Sequence, residues 1–210
     1  IDIDGAGSAS TMTLSGNLSC TGSCGTGANP AGIRTNARNN GTYTFSGSTK
    51  TINSSASNPG VSLTGNTGAT IHFTGGGLNI VTTSGTGFAA TGGGTVSVQG
   101  TGNTLVSTTG TALNVSNTSI AAAGLSFQSV SANGAGSGIV LNNTGTAAGL
   151  TVTGNGSAGS GGTIQNSTSH GILLTGTSAV SLNWMNIQGS GDDGIFGTRV
   201  AGLALGNVNV

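Results

Sequence analysis

Between Thr51 and Gly191 the chain carries no Asp, Glu, Lys or Arg. An ordinary soluble domain is about one quarter charged, so hydroxyls, amides and exposed backbone must keep this surface wet. Disorder normally comes with high charge and few β-branched residues, which excludes a conventional disordered tail. Gly, Ser, Thr and Asn are poor helix formers, which excludes a helical protein. Only two prolines accompany 42 glycines, and no triplet register links them, so a collagen triple helix is excluded. With five Phe, one Tyr and one Trp, a core built around aromatic clusters is not expected. A thin, continuous core of Ile, Val, Leu and Ala suits the composition better. Four basic residues against four acidic ones leave no electrostatic footprint for nucleic acid or an anionic membrane. No apolar run approaches transmembrane length. So little charge also gives little colloidal repulsion, and self-association is expected.

At 210 residues the chain fits one domain or a section of a longer array. It opens Ile1-Asp2-Ile3-Asp4, with no initiator Met, basic n-region or apolar h-region. It stops at Val208-Asn209-Val210, within an alternating, strand-like run. The expectation is a portion of something longer, with open strand edges at one or both ends; trimmed termini are the alternative.

What is present is a set of short apolar strands between turn residues. Val61-Ser62-Leu63, Phe88-Ala89-Ala90, Leu113-Asn114-Val115, Ile139-Val140-Leu141, Ile172-Leu173-Leu174 and Ile195-Phe196 each follow a small residue and form one series. A second runs through Ile71-His72-Phe73, Val96-Ser97-Val98, Ser119-Ile120-Ala121, Leu150-Thr151-Val152, Val180-Ser181-Leu182 and Leu203-Ala204-Leu205. A third takes Leu78-Asn79-Ile80, Asn103-Thr104-Leu105, Leu125-Ser126-Phe127, Thr163-Ile164-Gln165, Met185-Asn186-Ile187 and Val208-Asn209-Val210. Alternation puts apolar groups on one face and hydroxyls on the other. A repeat of about 23 to 33 residues lies within the solenoid range. Three strands recurring in one order predict an all-β fold, a right-handed parallel β-helix with three short strands per coil. Turn asparagines such as Asn142, Asn143 and Asn166 are expected to be there for tolerating left-handed backbone; an inward, buried Asn hydrogen-bonding its equivalent in the next coil is the alternative.

Residues 1–59 differ. They hold Cys20 and Cys24, three of the four basic residues and two of the four acids. Turn signals at Asn29-Pro30-Ala31-Gly32 and Asn39-Asn40-Gly41 interrupt their strands. Terminal repeats are commonly atypical, so 1–59 is expected to form a cap or docking segment, with coils over 60–210.

The run Gly138 to Ile195 contains Gly-Ile-Val-Leu-Asn-Asn-Thr, Gly-Leu-Thr-Val-Thr-Gly, Gly-Ile-Leu-Leu-Thr and Gly-Asp-Asp-Gly-Ile. It resembles the right-handed parallel β-helix repeats, pectin-lyase-like in fold, of large secreted bacterial surface proteins and autotransporter-type passengers. The resemblance covers residues 60 to 210 and implies an elongated stalk, adhesin or extracellular fibre. The same coils also build polysaccharide-cleaving enzymes, so the fold does not fix the function.

Gly191-Asp192-Asp193-Gly194 resembles the Gly-Asp-Asp of pectin-lyase-like polygalacturonases. Those enzymes place carboxylates on both sides of the scissile bond, and the adjacent upstream coil here has no acid. Ser169-His170-Gly171 only loosely resembles their Gly-His-Gly and precedes the Asp pair; Arg199 lacks an Arg-Ile-Lys context. Asp192, Asp193 and His170 are therefore weak catalytic candidates, and a solvated turn or weak cation site is expected. Cys20 and Cys24 suggest a small-loop disulfide and an oxidising setting; a zinc site there would need two further ligands. No metal site is assigned. His72 and His170 read as lone surface or turn histidines. The glycine clusters lack the Lys of a phosphate loop, and no cofactor is expected.

The expected function is a non-enzymatic extracellular or cell-surface structural protein, a bacterial stalk, fibre or adhesin segment. It would associate head to tail with copies of itself through Ile1, Ile3, Val208 and Val210, with surface glycans as further partners. A β-helical polysaccharide hydrolase or lyase using Asp192 and Asp193 is the alternative. Ice binding by threonine rows comes third, because Thr70, Thr95, Thr151 and Thr163 do not read as one even register.

Overall fold

The computed structural model describes residues 1–5, 10–25, 30–55 and 57–210. Its strands follow the coils in order. The first coil holds β1 (Asp2–Asp4), β2 (Thr11–Leu14) and β3 (Leu18–Gly22), and the second β4 (Ile33–Asn36), β5 (Thr42–Phe45) and β6 (Lys50–Ser54). The third has β7 (Val61–Thr64), β8 (Thr70–Phe73) and β9 (Leu78–Thr82); the fourth has β10 (Phe88–Thr91), β11 (Thr95–Val98) and β12 (Thr104–Ser107). Next come β13 (Leu113–Ser116), β14 (Ser119–Phe127) and β15 (Ser129–Asn133), then β16 (Ile139–Asn142), β17 (Leu150–Val152) and β18 (Gly162–Gln165). The seventh coil holds β19 (Ile172–Asn183), which turns a corner without a break, and β20 (Met185–Gln188); β21 (Ile195–Gly206) begins an eighth. Among the described residues every strand pairing is parallel and none is helical. The protein is an all-β parallel solenoid of about seven turns with three strand positions per coil.

Residues 1–59 carry β1 to β6, and each of these stacks in the same sheets as the later coils. Ile33 pairs Val61, Tyr43 pairs Ile71, and Ile52 pairs Ile80. The ladder therefore crosses residue 59 without interruption. Of the turn signals in this stretch, Asn29 lies outside the described residues.

One coil departs from the sequence reading. Ser119 and Ile120 pair Thr95 and Val96, but Val98 pairs Leu125, so the residues between form a bulge in β14. Leu125–Phe127 thus belongs to the second series, against Leu150–Val152. The third position is filled by β15, where Val130 pairs Leu105. Extra residues in a bulge restore register while leaving the apolar spacing irregular, which is why Leu125-Ser126-Phe127 mimics a separate strand.

The core is one column stack of alternate residues, such as Ile33, Val61, Phe88, Leu113, Ile139 and Ile172, all buried. Burying each such side chain is worth about 1.5–3 kcal/mol. The scarce phenylalanines are not scattered. Phe45 stacks on Phe73 at 4.8 Å, Phe73 meets Phe88 edge-on at 5.5 Å, and Phe88 meets Phe127 at 6.2 Å. Parallel register puts Phe45 directly below Phe73, and Phe88 reaches them from the neighbouring face. Corners tighten where coils touch. At Gly162, φ is +101° and a Cβ would run into the Val130 carbonyl, so glycine is required there.

Of the turn asparagines, Asn143 and Asn166 adopt the expected left-handed backbone, whereas Asn142 ends β16 without it. Asn117, Asn143 and Asn166 have φ near +50° (51°, 51° and 53°). Asn143 also donates to Asn117 at 3.1 Å and Asn166 to Asn133 at 2.8 Å, on the outside of the stack. The buried role falls to Asn66 and Asn103, whose amides reach carbonyls of their own and neighbouring coils.

Candidate functional site

Three of the candidate residues meet at one corner. Ile172 pairs Ile195, so the turns preceding β19 and β21 lie one above the other. Backbone bonds lock them: Gly191 N donates to Ser167 O at 2.7 Å, Asp192 N to Ser169 O at 3.2 Å, and Gly171 N to Asp193 O at 2.9 Å. His170 therefore faces both aspartates. Its Nδ1 lies 3.5 Å from Asp193 Oδ2 and 3.7 Å from Asp192 Oδ2. Phe196 stacks on the imidazole, centroids 4.5 Å apart and planes 14° apart, fixing the ring. His170 is thus not a lone turn histidine, because the seventh coil is short enough to set it over the Asp pair. His72 sits elsewhere, its Nδ1 2.7 Å from Ser97 Oγ.

The carboxylates themselves are exposed, 64% for Asp192 and 56% for Asp193. A shallow cavity of about 180 Å³ beside Asp192 is lined by Ile187, Gln188, Gly189, Ser190, Asp192, Gly194 and Val210. The only other acids, Asp2 and Asp4, are on β1, which heads the strand order far from β21. Asp192 and Asp193 are chain neighbours on one turn, with no facing carboxylate across a groove.

The first coils hold the other charges. Arg34 contacts Asp2 at 2.7 Å and Asp4 at 3.0 Å. Hydrogen bonds from Asn36, then from Arg34 and the Gly5 amide, hold the Asp4 carboxyl below its ordinary value. Arg38 donates to the Tyr43 hydroxyl at 2.6 Å and to Gly5 O at 2.6 Å. Cys20 and Cys24 are bonded to each other, Cα atoms 5.7 Å apart.

Lys50 escaped the sequence reading. Its side chain is fully buried, and its Nζ donates to the carbonyls of Gly47, Thr74 (2.9 Å) and Gly76 (2.8 Å). Burial pushes its pKa below the ordinary 10.5. The signal was there: Lys50 alternates with Ile52 and so shares its inward face.

Of the self-association residues, Ile3 and Val208 are partly buried against the core. Ile1 and Val210 are exposed, Val210 at 68%. At the last coil Leu203 and Leu205, which continue the Val180 and Leu182 columns, are also exposed. Of the four threonines named above, Thr70 pairs Thr95, Thr151 pairs Ser126 and Ser181, and Thr163 lies in the other sheet. Thr70 and Thr95 belong to an unbroken row, Thr11–Thr42–Thr70–Thr95–Ser119.

No protein-family model matches this chain, and neither does any curated protein or solved structure.

Proposed function

We propose that the protein is a non-enzymatic structural solenoid of the cell exterior, a stalk or fibre segment of a surface adhesin of the pectin-lyase-like, autotransporter-passenger type. The observation that carries the reading is the wall itself: stacked parallel coils kept wet by Ser, Thr and Asn, with no charged side chain from Thr51 to Gly191. Such a rod gives length and rigidity per residue, and it offers few titratable groups for chemistry. The Cys20–Cys24 bond suits an oxidising exterior. Copies of the chain stack end to end in this proposal. The half-exposed core columns at Leu203 and Leu205 meet the first coil of the next molecule, and such head-to-tail contacts propagate as a fibre. Exposed glycans are further partners for the hydroxyl-rich wall.

Sedimentation and negative-stain microscopy of the 210-residue chain test the association. Concentration-dependent rods are expected, and a stable monomer at high concentration would overturn it. A screen on acidic plant and microbial polysaccharides tests the non-enzymatic reading. Turnover lost in Asp192→Asn or Asp193→Asn would replace it with a hydrolase or lyase.

One observation favours ice binding as a second reading. The Thr11–Thr42–Thr70–Thr95 row repeats at the inter-strand spacing of about 4.8 Å. Thermal hysteresis that Thr70→Tyr abolishes would support it; no hysteresis in the parent chain removes it.

A further inference from the structure

We propose that His170, Asp192 and Asp193 bind a first-row divalent cation of the zinc class and so clasp the seventh coil to the eighth. The three residues each present a ligand atom, all within 4.8 Å of one another. Acidic neighbours alone would not single out a metal; the imidazole does. His170 Nδ1 is shielded from solvent and has no hydrogen-bond partner. An imidazole free to choose would close to about 2.7–2.9 Å on a carboxylate. Here it stands back at 3.5 and 3.7 Å from two of them.

The two imidazole-to-carboxylate separations lie close to an edge length of a coordination polyhedron. Zinc bonds nitrogen and oxygen at about 2.0–2.2 Å, and tetrahedral angles then set neighbouring ligand atoms about 3.4 Å apart. The stacked Phe196 ring holds the imidazole in that orientation, and the inter-turn backbone bonds fix the spacing of the two turns. The hydroxyls of Ser167 and Ser190, on the same two turns, are likewise buried without partners, so the corner has polar capacity the protein alone does not use. One nitrogen and two carboxylates suit zinc, cobalt or nickel, whereas calcium takes six to eight oxygens. Three protein ligands leave a position for water. Because the ligands come from successive coils, binding ties β21 to β19 and raises the stability of that end by mass action.

Calorimetric titration of the full, chelator-treated chain with zinc chloride tests this, and independently of whether the protein forms fibres. One zinc per chain is expected, with a rise in the thermal midpoint. His170→Ala and the near-isosteric Asp193→Asn should each weaken binding by more than about tenfold, with far-UV circular dichroism unchanged. His72→Ala should leave binding intact. The chain has two histidines, so a zinc-induced nitrogen-15 shift at His170 Nδ1 gives a direct readout. No zinc binding would overturn the proposal. So would binding indifferent to His170→Ala, or calcium binding as tightly as zinc, since either reduces the corner to an acidic pair.

Discussion

Replacing Lys50 by Met should destabilise the solenoid by about 2 kcal/mol at neutral pH, and the penalty should grow in alkali. Met keeps a linear side chain of similar reach and removes the ammonium. Three carbonyls, those of Gly47, Thr74 and Gly76, then lose their donor, and no described backbone donor is directed at them instead. An orphaned buried polar group costs about 1–3 kcal/mol, so the gross loss is about 3–9 kcal/mol. Against it stands the burial of an ion with no carboxylate beside it, which costs the parent several kcal/mol that the variant recovers. Water reaching the half-exposed Thr74 turn trims the loss further. The residue of these opposing terms is the predicted 2 kcal/mol. The pH dependence follows from burial, which lowers the folded-state pKa of Lys50 below the unfolded value of 10.5. Between those values the unfolded chain holds the proton that the native state has released, so parent stability rises with pH across that window. The thioether of the Lys50→Met variant has no proton to release, so the variant lacks that rise. Urea unfolding followed by Trp184 fluorescence at pH 7 and near pH 10 measures both effects. A variant as stable as the parent at pH 7, or one that keeps the alkaline rise, would refute the reasoning.

Two further outcomes probe other parts of the stack. Ile172 is buried in a column between Ile139 and Ile195, so Ile172→Asp should cost about 3–5 kcal/mol through an uncompensated buried charge; Leu173→Asp, one residue on and facing outward, should cost under about 1 kcal/mol, and equal losses in denaturant melts would contradict the alternation. Asp4 has a folded pKa below its ordinary 3.8, set first by Asn36 and then by Arg34; its contribution is present above 3.8 and lost as pH falls through the lower value, so amide protection of β1 should drop selectively in acid, and Asp4→Asn should abolish that selectivity.

Where apolar residues alternated cleanly, the strands could be read directly. Val61-Ser62-Leu63, Leu150-Thr151-Val152 and Met185-Asn186-Ile187 all fall where alternation puts them. Legibility failed where one coil carries surplus residues. Between Val96 and Val98 the partner strand spends Ala121–Gly124 on a bulge, so apolar spacing alone assigns Leu125 to the wrong face. It failed again at Lys50, because a charge marks a residue as surface unless its alternation with Ile52 is given more weight than its polarity. The aromatic chain from Phe45 to Phe127 was hidden for a different reason: composition counts side chains, whereas stacking depends on which coils align.

The His170 corner shows how near the functional information lay. In a parallel stack, residues one coil apart become neighbours whatever their sequence distance. Gln165 and Gln188 hydrogen-bond across 23 residues in the last full coil, and the same interval carries His170 onto Asp193. The flanking pairs, His170-Gly171 and Asp193-Gly194, already align when the strands beginning at Ile172 and Ile195 are superposed. Weighed as single residues, they read as a lone histidine and a solvated acidic turn. Weighed as columns, they are an imidazole and two carboxylates held on stacked turns by backbone bonds. In a solenoid nearly empty of charge, the positions where titratable side chains coincide in register are few. That coincidence, rather than any linear motif, is where chemistry should be sought.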